Sequence, residues 1–200
     1  MGKERSKKRD RPREMLRAAE KLMATRGLSG VTTRQISKEV GCSEGALYVH
    51  FKSRLGLLLA MLEEILPDMV EPLRSLQESI GRNTASANLV SAVNGIYRFQ
   101  TRAAPLFAGL FAEPKLLAAY RKSLVAQKKG PHLSMGALAN YIEAEQKLGR
   151  IDSHVDANLC ASVLLSACFF RAFTEHFFAK SMQPSWETYA PQLVALAIRE

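Results

Sequence analysis

The chain has 200 residues, 47% hydrophobic and 24% charged, an apolar content that supports a packed core and excludes a disordered chain. Its formal net charge is +9, and the placement of that charge is informative. Residues 1–55 hold 14 Lys/Arg against 6 Asp/Glu, whereas residues 56–200 hold 14 against 13, so a basic module that meets a polyanion is joined to a nearly neutral one that does not.

Apolar residues recur with a helical period along the whole length, and no alternating strand pattern occurs, so the expected fold class is all-α. Residues 1–10 read as a flexible basic arm. A helix is expected over Arg11–Arg26, with Met15, Ala18, Ala19, Leu22 and Met23 on one face and Gly27 ending it in a left-handed cap. Thr32 and Gln35 form a capping-box pattern that starts a short helix, Thr33–Val40, with Ile36 and Val40 inward. Gly41, Cys42 and Ser43 make a turn. Ser43 caps a second short helix over residues 44–50, with Leu47 and Phe51 inward.

Ser53 starts a longer helix running to about residue 80, where Pro67 and Pro72 are expected to kink or divide it. Five further helices are expected over residues 87–103, 105–112, 114–128, 131–148 and 156–180, with Pro105, Pro114 and Pro131 as first-turn prolines. A last helix, interrupted or kinked by Pro191, lies between residues 185 and 199.

Two eight-residue helices joined by a three-residue turn containing glycine have the proportions of a DNA-reading helix-turn-helix. The second helix opens with the small residues Ser43, Gly45 and Ala46, which let its N-terminus, with free N–H groups and a positive dipole end, approach phosphate. Tyr48, His50, Lys52 and Arg54 add hydrogen-bond donors nearby.

The stretch from Gly27 through Thr32-Thr33-Arg34-Gln35-Ile36-Ser37, Gly41-Cys42-Ser43-Glu44-Gly45-Ala46 and Leu47-Tyr48-Val49-His50-Phe51-Lys52-Ser53-Arg54 resembles the N-terminal domain of the tetracycline-repressor (TetR) family, over about residues 11–60. The resemblance implies that Thr33, Ser43, Tyr48, His50 and Arg54 contact phosphates or the groove edge. It also implies that Arg34, Glu44 and Ala46 read bases. Arg54 stands where the family usually has Lys, Cys42 where it has Val, and Leu55 where it has Glu. The expected organisation is therefore an arm (1–10), a DNA-binding domain (11–55) and a helical ligand-binding and dimerisation domain (56–200).

The helix over residues 156–180 is apolar almost all round, so one side is expected to meet its own core and the other a second subunit. With the resemblance, Val163, Phe170 and Phe177, together with Trp186, Tyr189, Leu193 and Leu196 of the last helix, become the expected homodimer face. Two readings of the middle helices stay open: an ordinary packed core, or an apolar effector pocket. The pocket would be lined by Met61, Ile65, Phe99, Arg102, Phe107, Phe111, Phe169, Phe173 and His176. Asn94, Tyr97, Arg171 and Glu175 are further polar candidates to orient a ligand.

Cys42, Cys160 and Cys168 form no C-x-x-C pair and have no histidine at ligand spacing, so they read as reduced apolar residues of a cytoplasmic protein without metal or cofactor. No G-x-S-x-G, H-E-x-x-H, P-loop or dinucleotide fingerprint occurs, which argues against an enzyme. The N-terminus lacks the apolar stretch of a secretion signal, and the longest charge-free apolar run, residues 157–170, is short for a bilayer, so no membrane association is expected. The reading is a ligand-responsive transcriptional regulator, a repressor that binds a palindromic duplex operator as a dimer and is released by a mostly apolar small molecule, aromatic or acyl-bearing. The alternative is a DNA-binding architectural or regulatory protein without an effector.

Overall fold

The computed structural model describes residues 10–27 and 30–198, so most of the expected arm, with Lys3, Arg5, Lys7, Lys8 and Arg9, lies outside the described residues. Ten helices and no strand occur among the described residues: α1 (Arg11–Arg26), α2 (Thr33–Val40), α3 (Glu44–Phe51), α4 (Arg54–Ile65), α5 (Pro67–Glu78), α6 (Ala85–Phe111), α7 (Pro114–Ala126), α8 (Pro131–Lys147), α9 (Ala157–Phe178) and α10 (Trp186–Ala197). The chain divides into two compact units, Met1–Leu62 with Pro105–Leu117, and Glu63–Ala104 with Ala118–Glu200. The expected boundary after residue 55 falls inside the first turn of α4.

In the first unit, Asp10 caps α1 rather than ending an arm, accepting from the Arg13 N–H at 3.4 Å. Met15, Leu16, Ala18, Ala19 and Met23 are buried on the inner face of α1, and α1, α2 and α3 pack mutually. Gly27 has φ +69° but ψ 166°, so it ends α1 with a positive φ and not with the left-handed helical cap expected. Val40 is only half-buried. The inner side of α2 is Ile36 and Ser37, because the Ser37 hydroxyl donates to the Thr33 carbonyl at 2.8 Å and carries no unsatisfied polarity into the core.

Two expectations about prolines need correction. The helix after Ser53 divides at Leu66–Pro67, but Pro72 lies inside α5 without breaking it. The break expected before Pro105 is absent: α6 runs through it as one helix of 27 residues. An interior proline costs about 3 kcal/mol or more. Here Ala103, Leu106 and Leu110 continue one buried face across the proline, and that burial offsets the lost hydrogen bond. Pro191 likewise lies inside a single helix, α10.

The core of the second unit joins Leu73 and Leu76 of α5, Leu89, Val93 and Ile96 of α6, Leu138, Tyr141 and Ile142 of α8, Leu164 and Cys168 of α9, and Trp186, Leu193 and Val194 of α10. Pro72 nests against Gly95, where an added Cβ would lie 2.7 Å from the Asp68 carbonyl oxygen and closer still to the proline ring. One polar cluster closes the α5–α6 turn. The Gly81 N–H donates to Glu145 Oε1 at 3.0 Å, and Asn88 donates to the Tyr141 hydroxyl and the Arg82 carbonyl. Arg150 Nε forms an ion pair with Glu145 Oε2 at 2.8 Å, outside hydrogen-bond alignment.

A second polar cluster fastens α9 to the segment leading into α10. Buried Arg171 donates to Glu175 Oε1 (2.7 Å) and to the carbonyls of Met182 (2.6 Å) and Pro184 (2.7 Å). The Tyr97 hydroxyl and the Met182 N–H also donate to Glu175. Burial first, and then the Glu175 bond, push the Tyr97 hydroxyl up to about 12, so it remains a donor at neutral pH. For Glu175, burial works against the charged form but is outweighed by the donors from Tyr97, Met182 and Arg171, and its carboxyl lies below the usual range.

Among the described residues α9 is the one helix long and apolar enough to cross a membrane by length and composition. The 14-residue apolar run therefore understated it. Its inner face packs against α8 and α10 and holds the Arg171–Glu175 pair.

Gly95→Ala should destabilise the second unit by about 1–3 kcal/mol through overpacking at α5, read as a lowered melting temperature. Glu175→Gln should lower the melting temperature at neutral pH. Because the native carboxyl is depressed, the stability it contributes is present above the unfolded value and lost on acidification, so the gap to wild type should close below about pH 4.

Candidate nucleic-acid interface

The helix-turn-helix is built from local bonds that the sequence dictates. The Thr32 hydroxyl accepts from the Gln35 N–H (3.2 Å) while Gln35 Oε1 accepts from the Thr32 N–H (2.9 Å), completing the capping box. Gly41 takes φ +70° and ψ +43°, the left-handed conformation that lets α2 stop and the chain turn at once. Ser43 Oγ accepts from the Ala46 N–H at 3.2 Å and starts α3. Ile36 and Leu47, each 1% exposed, are buried on two helices that pack together, so α3 is held at a fixed angle.

With Leu47 and Phe51 turned inward, the other side of α3 is left to solvent. Tyr48 is 46% and Val49 76% exposed, and Glu44, Gly45 and His50 are exposed beside them. Thr33, half-buried at the start of α2, donates to the Glu44 carboxylate and stands 3.4 Å from the Tyr48 hydroxyl. Three residues read separately as DNA contacts thus form one cluster spanning the N-termini of both helices. Arg34, Ser43, Lys52 and Arg54 are also exposed, and Ala46 is half-buried.

Lys52 takes φ +57° after its N–H donates to the Tyr48 carbonyl, which ends α3. Ser53 Oγ then accepts from the Gly56 N–H at 3.0 Å and starts α4. Sequence reasoning passed over Val49. Its position between inward Leu47 and Phe51 was the available signal, and an exposed valine here can meet a thymine methyl. Reasoning from sequence also missed Glu113, which lies 59 residues along the chain and pairs with Arg54 Nη2 at 2.7 Å.

The residues expected to line an effector pocket do not share one environment. Met61, Ile65 and Phe99 are buried and Phe107 is half-buried, whereas Phe111 (64%) and His176 are exposed. Met61, Phe107 and Phe111 belong to the first unit and the remainder to the second. Arg102 pairs with Asp68 at 2.8 Å. Phe169 and Phe173 lie on the outer face of α9, where they stack in a ladder with Phe177 at centroid spacings of 6.0 and 5.9 Å. The helical register explains this: Cys160, Leu164, Cys168 and Arg171 occupy the inner face, which turns Phe169 and Phe173 to the opposite side.

The expected dimer residues separate into two groups. Val163, Phe170 (62%), Phe177 (68%) and Leu196 (85%) are exposed. Trp186 and Leu193 are buried in their own unit and Tyr189 is half-buried against it. The Trp186 ring stacks on Tyr97 at 3.9 Å and donates to Asn94 at 2.8 Å, while Arg171 lies over the Tyr189 ring. Asn94, Tyr97, Arg171 and Glu175 are accordingly committed to internal bonds.

An all-helical chain of this order, with a capped helix-turn-helix in a small first unit and a larger helical second unit, defines a helix-turn-helix regulator fold. Residues 15–61 match the model for bacterial regulatory proteins of the tetR family, which assigns the helix-turn-helix segment to that family. The nucleoid occlusion factor SlmA of Vibrio campbellii is 44% identical over 61 residues, 30% of this chain, and the match spans only 31% of that relative's length. The uncharacterized HTH-type transcriptional regulator YdgC of Bacillus subtilis is 27% identical over 160 residues, covering 76% of this chain and 74% of the relative. Among solved structures, the transcriptional regulator FadR of Bacillus subtilis in complex with stearoyl-CoA superposes with a TM-score of 0.65 at 17% identity, covering 92% of this chain and 96% of that one.

Removing the Thr32 cap tests the local architecture. Thr32→Ala should cost about 1 kcal/mol of stability in the first unit by removing the hydroxyl that accepts from the Gln35 N–H at the start of α2. Hydrogen exchange should show faster opening of α2.

Proposed function

We propose that this protein is a transcriptional regulator that binds a palindromic duplex-DNA operator as a homodimer. It represses through that binding, and a mostly apolar, acyl-bearing small molecule releases it. The observation that carries the reading is the exposed Thr33–Glu44–Tyr48 cluster on the solvent side of a capped helix-turn-helix, within the segment that matches the family model. Thr33, Ser43, Tyr48, His50, Lys52 and Arg54 serve phosphate and groove-edge contacts. Arg34, Glu44 and Ala46 serve base reading, with Glu44 suited to accept from a cytosine or adenine amino group. The arm adds phosphate contacts in a cytoplasmic setting.

The homodimer reading is supported by the outer face of α9 together with Leu196. Leu159, Val163, Phe169, Phe170, Phe173 and Phe177 are all exposed along one helix, and large apolar side chains grouped in this way mark an interaction surface. Phe169 and Phe173 belong to this surface in the present reading, and the effector site is left to the buried apolar side chains of the middle helices. A two-fold dimer would present two α3 helices about 34–36 Å apart to successive major grooves. The acyl-bearing effector is supported by the fold shared with a regulator that holds stearoyl-CoA. The second reading, a DNA-binding protein that needs no effector, is favoured by the N-terminal likeness to a nucleoid occlusion factor.

Selection from random duplexes with the purified protein should return a palindrome with half-sites one helical turn apart. Enrichment of no sequence, even at low ionic strength, would sink the regulator reading. Tyr48→Phe should weaken binding to all duplexes alike, whereas Glu44→Gln should change the preferred base at one position of each half-site. Phe170→Glu should give a monomer by analytical ultracentrifugation and lose palindrome binding. Stearoyl-CoA that leaves the operator complex intact would favour the effector-free reading.

A further inference from the structure

Arg54 is positioned for a phosphate yet already holds an anion. It opens α4 immediately after the Ser53 cap, close behind the exposed face of α3, and its Nη2 donates to Glu113 Oε1 at 2.7 Å. The two side chains are 43% and 26% exposed, so the pair sits at the surface of the first unit and within reach of solvent. Glu113 is the sole acidic residue of the Pro105–Leu117 segment that the first unit includes. It is presented by an ordered turn between α6 and α7, in which its N–H donates to the Leu110 carbonyl (3.2 Å) and its own carbonyl accepts from the Leu117 N–H (2.9 Å).

The first 55 residues carry eight positive charges in excess, so a carboxylate brought to one of those arginines from 59 residues away works against polyanion binding. A phosphate that reaches this guanidinium must displace the carboxylate or settle beside it, and like charges a few ångströms apart repel. The pair is weak enough to be exchanged, because ion pairs this exposed gain little over their separately hydrated partners.

We propose that Glu113 is a positioning residue that sets DNA affinity by competing with an operator phosphate for Arg54. It holds the guanidinium aside in the free protein and lowers both the affinity and its salt dependence. This inference rests on the DNA-binding reading above. It adds that a carboxylate outside the helix-turn-helix tunes that site.

The test is a double-mutant cycle on the full chain, read by DNA binding across a salt series. Glu113→Gln should strengthen binding about threefold to tenfold, on specific and non-specific duplexes alike. It should also steepen the slope of log K against log salt by about 0.9 per phosphate gained, hence roughly 1.8 per dimer. Arg54→Gln should weaken binding and flatten the slope. In that background Glu113→Gln should add nothing, and Glu113→Asp should keep wild-type behaviour. Melting curves on each variant separate these effects from misfolding.

An unchanged affinity and slope in Glu113→Gln would overturn the proposal, as would an equal gain in the Arg54→Gln background, which would mark a general charge effect. Both results leave the DNA-binding reading standing. Failure of the wild type to bind any duplex would overturn that reading and this proposal with it.

Discussion

The left-handed backbone of Gly41 is the constraint on which the first unit's surface depends. With φ at +70°, α2 ends and α3 begins within three residues, and the burial of Ile36 and Leu47 fixes the angle between them. A side chain with a Cβ would be strained in this conformation. A longer turn would let α3 rotate and carry Leu47 out of the core. Once that angle is set, the remaining face of α3 is surface by elimination, and Thr33, Glu44 and Tyr48 converge on it because both helix N-termini open toward the same side.

The second unit is organised differently. Its core is apolar and continuous across α5, α6, α8, α9 and α10, but two polar clusters determine how its connections lie. Glu145 receives the Gly81 N–H and faces Arg150, which closes the turn before α6. Arg171 and Glu175 satisfy the backbone of the segment leading into α10. Buried charges at such places are tolerated because each has several partners, and removing one partner would strand the other. The same clusters take up polar side chains that a ligand would otherwise have found available.

Charge ties the two levels together. The excess of basic residues in the first quarter marks a polyanion-binding surface, yet Arg54 is matched by Glu113 and Lys21 by Glu39 at 2.9 Å. Net charge alone therefore overstates how many cations stand ready for phosphate. Which cations are matched depends on residues far away in the chain.

The sequence by itself determined what is local. The bounds of α1 and α2 follow from apolar period and capping. The box at Thr32–Gln35, the turn at Gly41 and the caps at Ser43 and Ser53 could be read because each involves residues within a few positions of one another. Non-local features were decided by the tertiary structure. Pro105 looked like a helix start, and only the buried faces of Ala103, Leu106 and Leu110 carry α6 through it. On α9, apolar on nearly every side, composition could not say which phenylalanines face inward, and packing against α8 and α10 turned Phe169 and Phe173 out. Trp186 entered the core because Asn94 and Tyr97 of α6 received it, and Arg54 met Glu113 because the fold brought residues 59 apart within 2.7 Å. A chain's short-range pattern encodes its caps and periods. Its partners across long loops exist only once the loop entropy has been overcome by burial.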